Sequence, residues 1–107
     1  MVKHPMHLDT VFHSLSDPIR RDILERVTHK EWSVGELVEL HEVSFAAVSK
    51  HVKVLEEAGL IKKRKEGRHH MISLAPKALK EADAYLERYR RMWQSRYDKL
   101  DALLKDK

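Results

Sequence analysis

Apolar residues recur at steps of three and four along most of this 107-residue chain, the period of helices that bury one face. Leu8, Val11, Phe12 and Leu15 open the series and predict a short first helix. Asp17 as N-cap and Pro18 at the first helical position, where its missing N–H costs little, begin a second helix buried through Ile19, Ile23, Leu24 and Val27. Val34, Leu37 and Val38 share one face of a third, which opens on the capping box of Ser33 and Glu36. A fourth starts at Ser44, places Val48, Val52 and Leu55 at i, i+4 and i+7, and stops at Gly59, a residue suited to the left-handed end of a helix.

The period then changes. Two short runs, Leu60 to Lys65 and Arg68 to Leu74, flank Glu66-Gly67, which reads as a hairpin turn with glycine at the position needing positive φ. His70, Ile72 and Leu74 alternate with His69, Met71 and Ser73 in the second run. From Pro76 to the end there is no further proline and no glycine. Leu79, Ala82, Leu86, Tyr89, Trp93, Arg96 or Tyr97, Leu100 and Leu104 form one stripe on a helix expected over 76–105. A stripe that long exceeds what a domain this small can cover entirely, so it suggests pairing with a second copy, with a helix folded back onto its own domain as the alternative. Met1 to His7, broken by Pro5, is expected to be a loose arm.

Charge refines this outline. Lys and Arg number 21 against 17 Asp and Glu, a net charge of +4 that fits a nucleic-acid partner without requiring one. On the fourth helix the side opposite the apolar stripe carries Ala46, Ser49, Lys50 and Lys53. Small residues permit close approach, hydroxyls bond phosphates or base edges, and lysines neutralise phosphate. The same face would equally serve as the solvated side of an ordinary amphipathic helix; the basic hairpin after it, with Lys62, Lys63, Arg64, Lys65 and Arg68 around the single acid Glu66, favours DNA. Arg20 and Arg21 in the first turn of the second helix read as a solvated pair or as phosphate contacts, and Trp32 as a packing residue.

There is no cysteine, which excludes disulfides and thiolate metal sites. His4, His7 and His13, or the pair His69-His70, carry the right atoms for zinc or nickel, but no second cluster of ligands joins either, and no metal site is expected. No Gly-rich phosphate loop, nucleophile elbow or pocket-forming acid pair is present, so neither catalysis nor a cofactor is expected. The N-terminus lacks an apolar core of signal-peptide length and no run approaches a membrane span, pointing to the cytoplasm and the nucleoid.

Helix, turn, basic helix and basic hairpin in this order resemble the winged helix-turn-helix, and the details resemble the ArsR/SmtB family of transcription repressors. The likeness is carried by Leu15 to Leu24 (LSDPIRRDIL), Val34 to Leu37 (VGEL), Ala47 to Ile61 (AVSKHVKVLEEAGLI) and Glu66-Gly67-Arg68. It spans about Leu8 to Leu74. The chain departs from the pattern at the turn His41-Glu42-Val43, where the family commonly has an aliphatic residue in place of His41 and glycine in place of Glu42; a glutamate there implies a strained backbone or a different turn. His41 continues the face of Val34, Leu37 and Val38 and reads as a partly buried structural histidine.

The expected fold is mainly α with a small β-hairpin: one winged helix-turn-helix domain with two first helices at 8–30, a helix-turn-helix at 33–59, a wing at 60–74 and a dimerisation helix at 76–105. Ser44, Phe45, Ala46, Ser49, Lys50 and Lys53 would face the major groove, Phe45 against a thymine methyl, while Arg64, Lys65, Arg68 and His69 hold flanking phosphates or the minor groove. The resemblance implies a dimer interface from the first and last helices, here Leu8, Val11, Phe12, Leu79, Leu86, Tyr89, Trp93 and Leu100, and repression by occluding polymerase. The family's metal designs, cysteines before the turn or histidines on the terminal helix, are absent by residue type. The reading is a homodimeric, metal-independent repressor of an inverted-repeat operator; a dimeric winged-helix adaptor for protein partners is the alternative.

Overall fold

A computed structural model describes residues 6–105. Five helices and three strands follow in the order α1 (Met6–Ser14), α2 (Pro18–His29), β1 (Trp32–Ser33), α3 (Val34–His41), α4 (Phe45–Glu57), β2 (Ile61–Glu66), β3 (His69–Leu74) and α5 (Pro76–Lys105). Met6 and His7 belong to α1 rather than to an arm, and the rest of the expected arm lies outside the described residues.

The helix starts are set by local chemistry. The Asp17 carboxylate accepts from the amides of Ile19 and Arg20 at 2.9 and 3.1 Å. At α3 the capping box is complete, the Ser33 hydroxyl accepting from the Glu36 amide at 3.1 Å and the Glu36 carboxylate from the Ser33 amide at 2.9 Å. Ser44 accepts from the Ala47 amide at 3.0 Å. α4 ends in a Schellman pair, Gly59 N–H to Glu56 C=O and Leu60 N–H to Leu55 C=O, with Gly59 at φ +76°. Glu42 caps α3 at φ +52° and ψ +36°, in the left-handed region, and so takes up the strain foreseen for that turn.

The wing is larger than a hairpin. β1 pairs antiparallel with β3, giving the order β1-β3-β2, with Trp32 opposite Ile72. Glu66 pairs with His69, which moves the two-residue turn to Gly67-Arg68 instead of Glu66-Gly67. Gly67 has φ +60° and Arg68 has a negative φ, the pattern of a II′ turn.

The core gathers one face of every helix. Val48, Val52 and Leu55 of α4 pack with Ile23 and Val27 of α2, Val34 and Leu37 of α3, Leu60, Ile61 and Ile72 of the wing, and Ala78 and Ala82 of α5. Leu8 and Val11 are also in it, because α1 lies against the first turns of α5. Beyond those turns α5 runs free, and the radius of gyration is 18.1 Å against about 13 Å for a compact chain of this length.

Candidate nucleic-acid interface

With Val48, Val52 and Leu55 turned into the core, the opposite side of α4 faces solvent. Phe45, 59% exposed, stands at its first turn beside exposed Ser44 and Ala46. Lys50 and Lys53 follow one and two turns on, both exposed, and Ser49 is half-buried between them and the core. The Ser44 oxygen is engaged as the cap, which leaves its proton free to be donated outward. Five α4 residues expected to face a groove, and the N-cap Ser44 before them, thus lie away from the core side of one helix.

The wing brings more cations. Lys62, Lys63, Lys65, Arg68 and His69 are all exposed, and Arg68 occupies the tip. Lys62 and Lys63 were not among the expected contacts; the signal was available in an uninterrupted basic run on an edge strand, where lysines also deter pairing with another sheet. Arg64 is bound, donating to Glu31 at 2.8 Å and to Glu66 at 2.7 Å. Both carboxylates are exposed, so these pairs are weak and exchangeable for another anion.

Arg20 is half-buried and bonded within the chain, whereas Arg21 stays exposed with one bond back to the chain. The Arg20 Nε donates to the Ser14 carbonyl at 2.6 Å and its Nη2 to that of His13 at 3.3 Å, while Arg21 donates to the Leu15 carbonyl at 2.8 Å. Both guanidiniums donate to carbonyls at the end of α1, that of His13 being shared with the amide and hydroxyl of Ser16. Arg20 also reaches His51 on α4, its Nη1 3.3 Å from Nδ1. Partial desolvation works to raise the Asp17 carboxyl beside them, but the Arg20 amide, the nearby His51 and the Ile19 amide outweigh it and hold it below the usual carboxylate range.

His41 is structural, as expected. It bonds the Leu37 carbonyl at 2.9 Å through Nδ1 and the Asp22 carboxylate at 2.6 Å through Nε2, joining α3 to α2. The hydrogen bond from Arg26 lowers the Asp22 carboxyl, against desolvation, and the bond to His41 lowers it further. Trp32 also packs as expected, its Nε1 donating to the Arg26 carbonyl at 3.2 Å and its ring flanked by Lys30 and Arg26.

The residues expected to meet a partner divide in two. Leu8 and Val11 are buried within the single chain, and Leu79 is half-buried against the same core. α1 uses its stripe on its own α5, which withdraws the first two from any outer surface. Phe12, Leu86, Tyr89, Trp93 and Leu100 are exposed, joined by Met92, Tyr97, Leu103 and Leu104. Phe12 contacts Tyr85, and Tyr85 contacts Tyr89, with ring centroids 6.3 and 5.3 Å apart.

Among the described residues no three His, Cys, Asp or Glu side chains converge as metal ligands do; the expected candidate His4, and the side chain of His7, lie outside the described residues. No helix of the described residues is long and apolar enough to cross a membrane.

A helix-turn-helix domain family model matches residues 15–64. The HTH-type transcriptional regulator Rv2034 of Mycobacterium tuberculosis is 38% identical over 81 residues, 76% of this chain and 76% of its own. The transcriptional repressor SdpR of Bacillus subtilis is 28% identical over 75 residues, 70% of this chain and 83% of its own. The crystal structure of the ArsR family transcriptional regulator RHA00566 superposes with a TM-score of 0.79 at 28% identity, over 89% of this chain and 98% of that one. With a DNA-binding helix-turn-helix at its centre and relatives that are regulators rather than enzymes, the chain belongs to the ArsR family of winged helix-turn-helix transcriptional regulators.

Proposed function

We propose that this regulator is a homodimeric repressor that binds an inverted-repeat operator without a metal. The observation that carries the reading is the solvent side of α4, where Phe45, Ala46, Lys50 and Lys53 project together from a helix whose other side is locked into the core. Laid in a major groove, that side puts Ala46, Ser49 and Lys50 nearest the bases, Phe45 against a thymine methyl, and Ser44 and Lys53 at the phosphates. Arg64, Lys65, Arg68 and His69 of the wing take the flanking backbone. SdpR, a repressor by name, is among the similar proteins.

Dimerisation is supported by the second half of α5, whose leucines, Tyr89, Met92, Trp93 and Tyr97 face water in the single chain. A contiguous exposed apolar surface of this kind marks an interaction site. Two-fold symmetry then sets half-sites about one helical turn, roughly 34 Å, apart. Independence from metal rests on residue types: the sequence has no cysteine, and α5 has no histidine.

Selection from a pool of random duplexes, followed by footprinting and sedimentation of the complex, tests the whole reading. The expected result is an enriched inverted repeat bound by two copies, with the same affinity in EDTA and in added zinc. Enrichment of nothing over random DNA refutes it and favours a protein-binding adaptor. A metal-dependent affinity refutes the last part alone.

A further inference from the structure

The environment of His51 carries more than fold stability. A guanidinium has donors only, so in the 3.3 Å contact between Arg20 Nη1 and His51 Nδ1 the arginine is the donor. The same guanidinium holds the last carbonyls of α1 through Nε and Nη2. Asp17, which caps α2, lies 3.8 Å from the same ring nitrogen. His51 stands on α4 next to Lys50, on a side chain only 18% exposed. Three helices therefore meet at one arginine, and one of them is the helix whose outer side faces DNA in the reading above.

The other restraints on α4 from this side are apolar. Val48, Val52 and Leu55 lock the buried side of α4 into the core. The Arg20–His51 hydrogen bond adds a directional restraint at the edge of that side, next to Lys50. We propose that Arg20 is a positioning residue for α4, and that the Arg20–His51 contact is the joint through which the α1–α5 body sets how Lys50 and its neighbours are presented to DNA. The inference rests on the DNA-binding reading and deepens it. Sequence reasoning offered Arg20 only solvent or phosphate.

The two roles of Arg20 are separable by experiment. Wild type, Arg20→Gln, His51→Ala, His51→Asn and the Arg20→Gln/His51→Ala double variant are titrated over salt on the selected operator and on a scrambled duplex of equal length, with melting curves for each. As a joint, Arg20→Gln and His51→Ala each weaken operator binding on the order of tenfold, the size of a mismatched base pair, while scrambled-duplex affinity and salt slope stay as in wild type. The double variant loses no more than the worse single one. His51→Asn, whose Oδ1 accepts near where Nδ1 stood, keeps operator binding.

Equal losses on both duplexes, with the salt slope smaller by about one, would make Arg20 a phosphate ligand and overturn the proposal. So would His51→Asn failing as badly as His51→Ala, a comparison that decides the matter even where Arg20→Gln does not fold. A wild type that enriches no sequence removes the DNA-binding reading and the joint with it.

Discussion

Glu42→Gly should stabilise this protein. Glu42 is, among the described residues, the non-glycine residue with positive φ, at +52° with ψ +36°, and it closes α3 by donating its amide to the Val38 carbonyl at 3.1 Å. An L-residue pays about 1–2 kcal/mol in that conformation because its Cβ crowds the following carbonyl. Glycine removes the crowding but enters with a larger unfolded-state entropy, worth about 0.5–1 kcal/mol in the other direction. The difference is a net gain of about 0.5–1 kcal/mol, since the side chain is exposed and no packing is lost with it. For a chain of this length that moves the melting temperature up by about 2–5 °C.

Thermal and urea unfolding at one fixed protein concentration would measure it, because any dimer would make the midpoint depend on concentration. Two further substitutions separate the backbone argument from a charge effect. Glu42→Ala keeps a Cβ and should give no gain, whereas Glu42→Asn, whose side chain tolerates the left-handed region, should fall between alanine and glycine. A gain from alanine equal to that from glycine, or a loss from glycine, would refute the strain argument.

Other expectations follow from the same geometry. Asp22 is held below its ordinary value of 3.8, first by Arg26 and then by His41; a carboxyl depressed in the folded state contributes above the unfolded value and loses that contribution as pH falls through the folded one. Asp22→Asn should therefore cost about 0.5 kcal/mol at pH 7, discounted because the side chain is about a third exposed, and progressively less as pH falls below 3.8, read as a flatter urea midpoint against pH. Arg68→Ala should weaken binding to every duplex and reduce the salt slope by about one, whereas Lys50→Ala should alter which sequences are enriched; an unchanged slope for Arg68→Ala would remove the wing from the interface. Trp93→Ala with Leu100→Ala should shift sedimentation toward one copy while leaving the helical circular dichroism of the winged fold in place, because both side chains face water in the single chain; unchanged sedimentation would place the dimer elsewhere.

What the sequence declared was whatever a few neighbouring residues decide between them. Asp17-Pro18, Ser33 with Glu36, and Ser44 mark three helix starts that the structure reproduces, and a helix over 76–105 needed only the want of Pro and Gly and a stripe at steps of three and four. Glu42 was legible for the same reason, as a side chain where a bare backbone belongs. The third strand was not: Trp32-Ser33 is two residues long, without alternation of its own, and is a strand only because β3 lies beside it. Leu8 and Val11 failed in a related way, since a stripe says that a face will be covered and not by what; α5 of the same chain arrives 70 residues later to cover it.

Arg20 shows where that limit bears on function. Its position in the first turn of α2 is unfavourable to the helix dipole, and by local rules a cation there is either idle or waiting for a phosphate. The structure resolves the misfit through partners that no local rule supplies: carbonyls six and seven residues back at the end of α1, and a histidine 31 residues on that faces it only once α4 has packed on α2. A cation at the wrong end of a helix is thus an argument for looking across the helix junction before looking outward to DNA. The lysines of α4 and the wing have no such claim on them from within the described chain, and for that reason they, rather than Arg20, form the surface on which the DNA-binding reading stands.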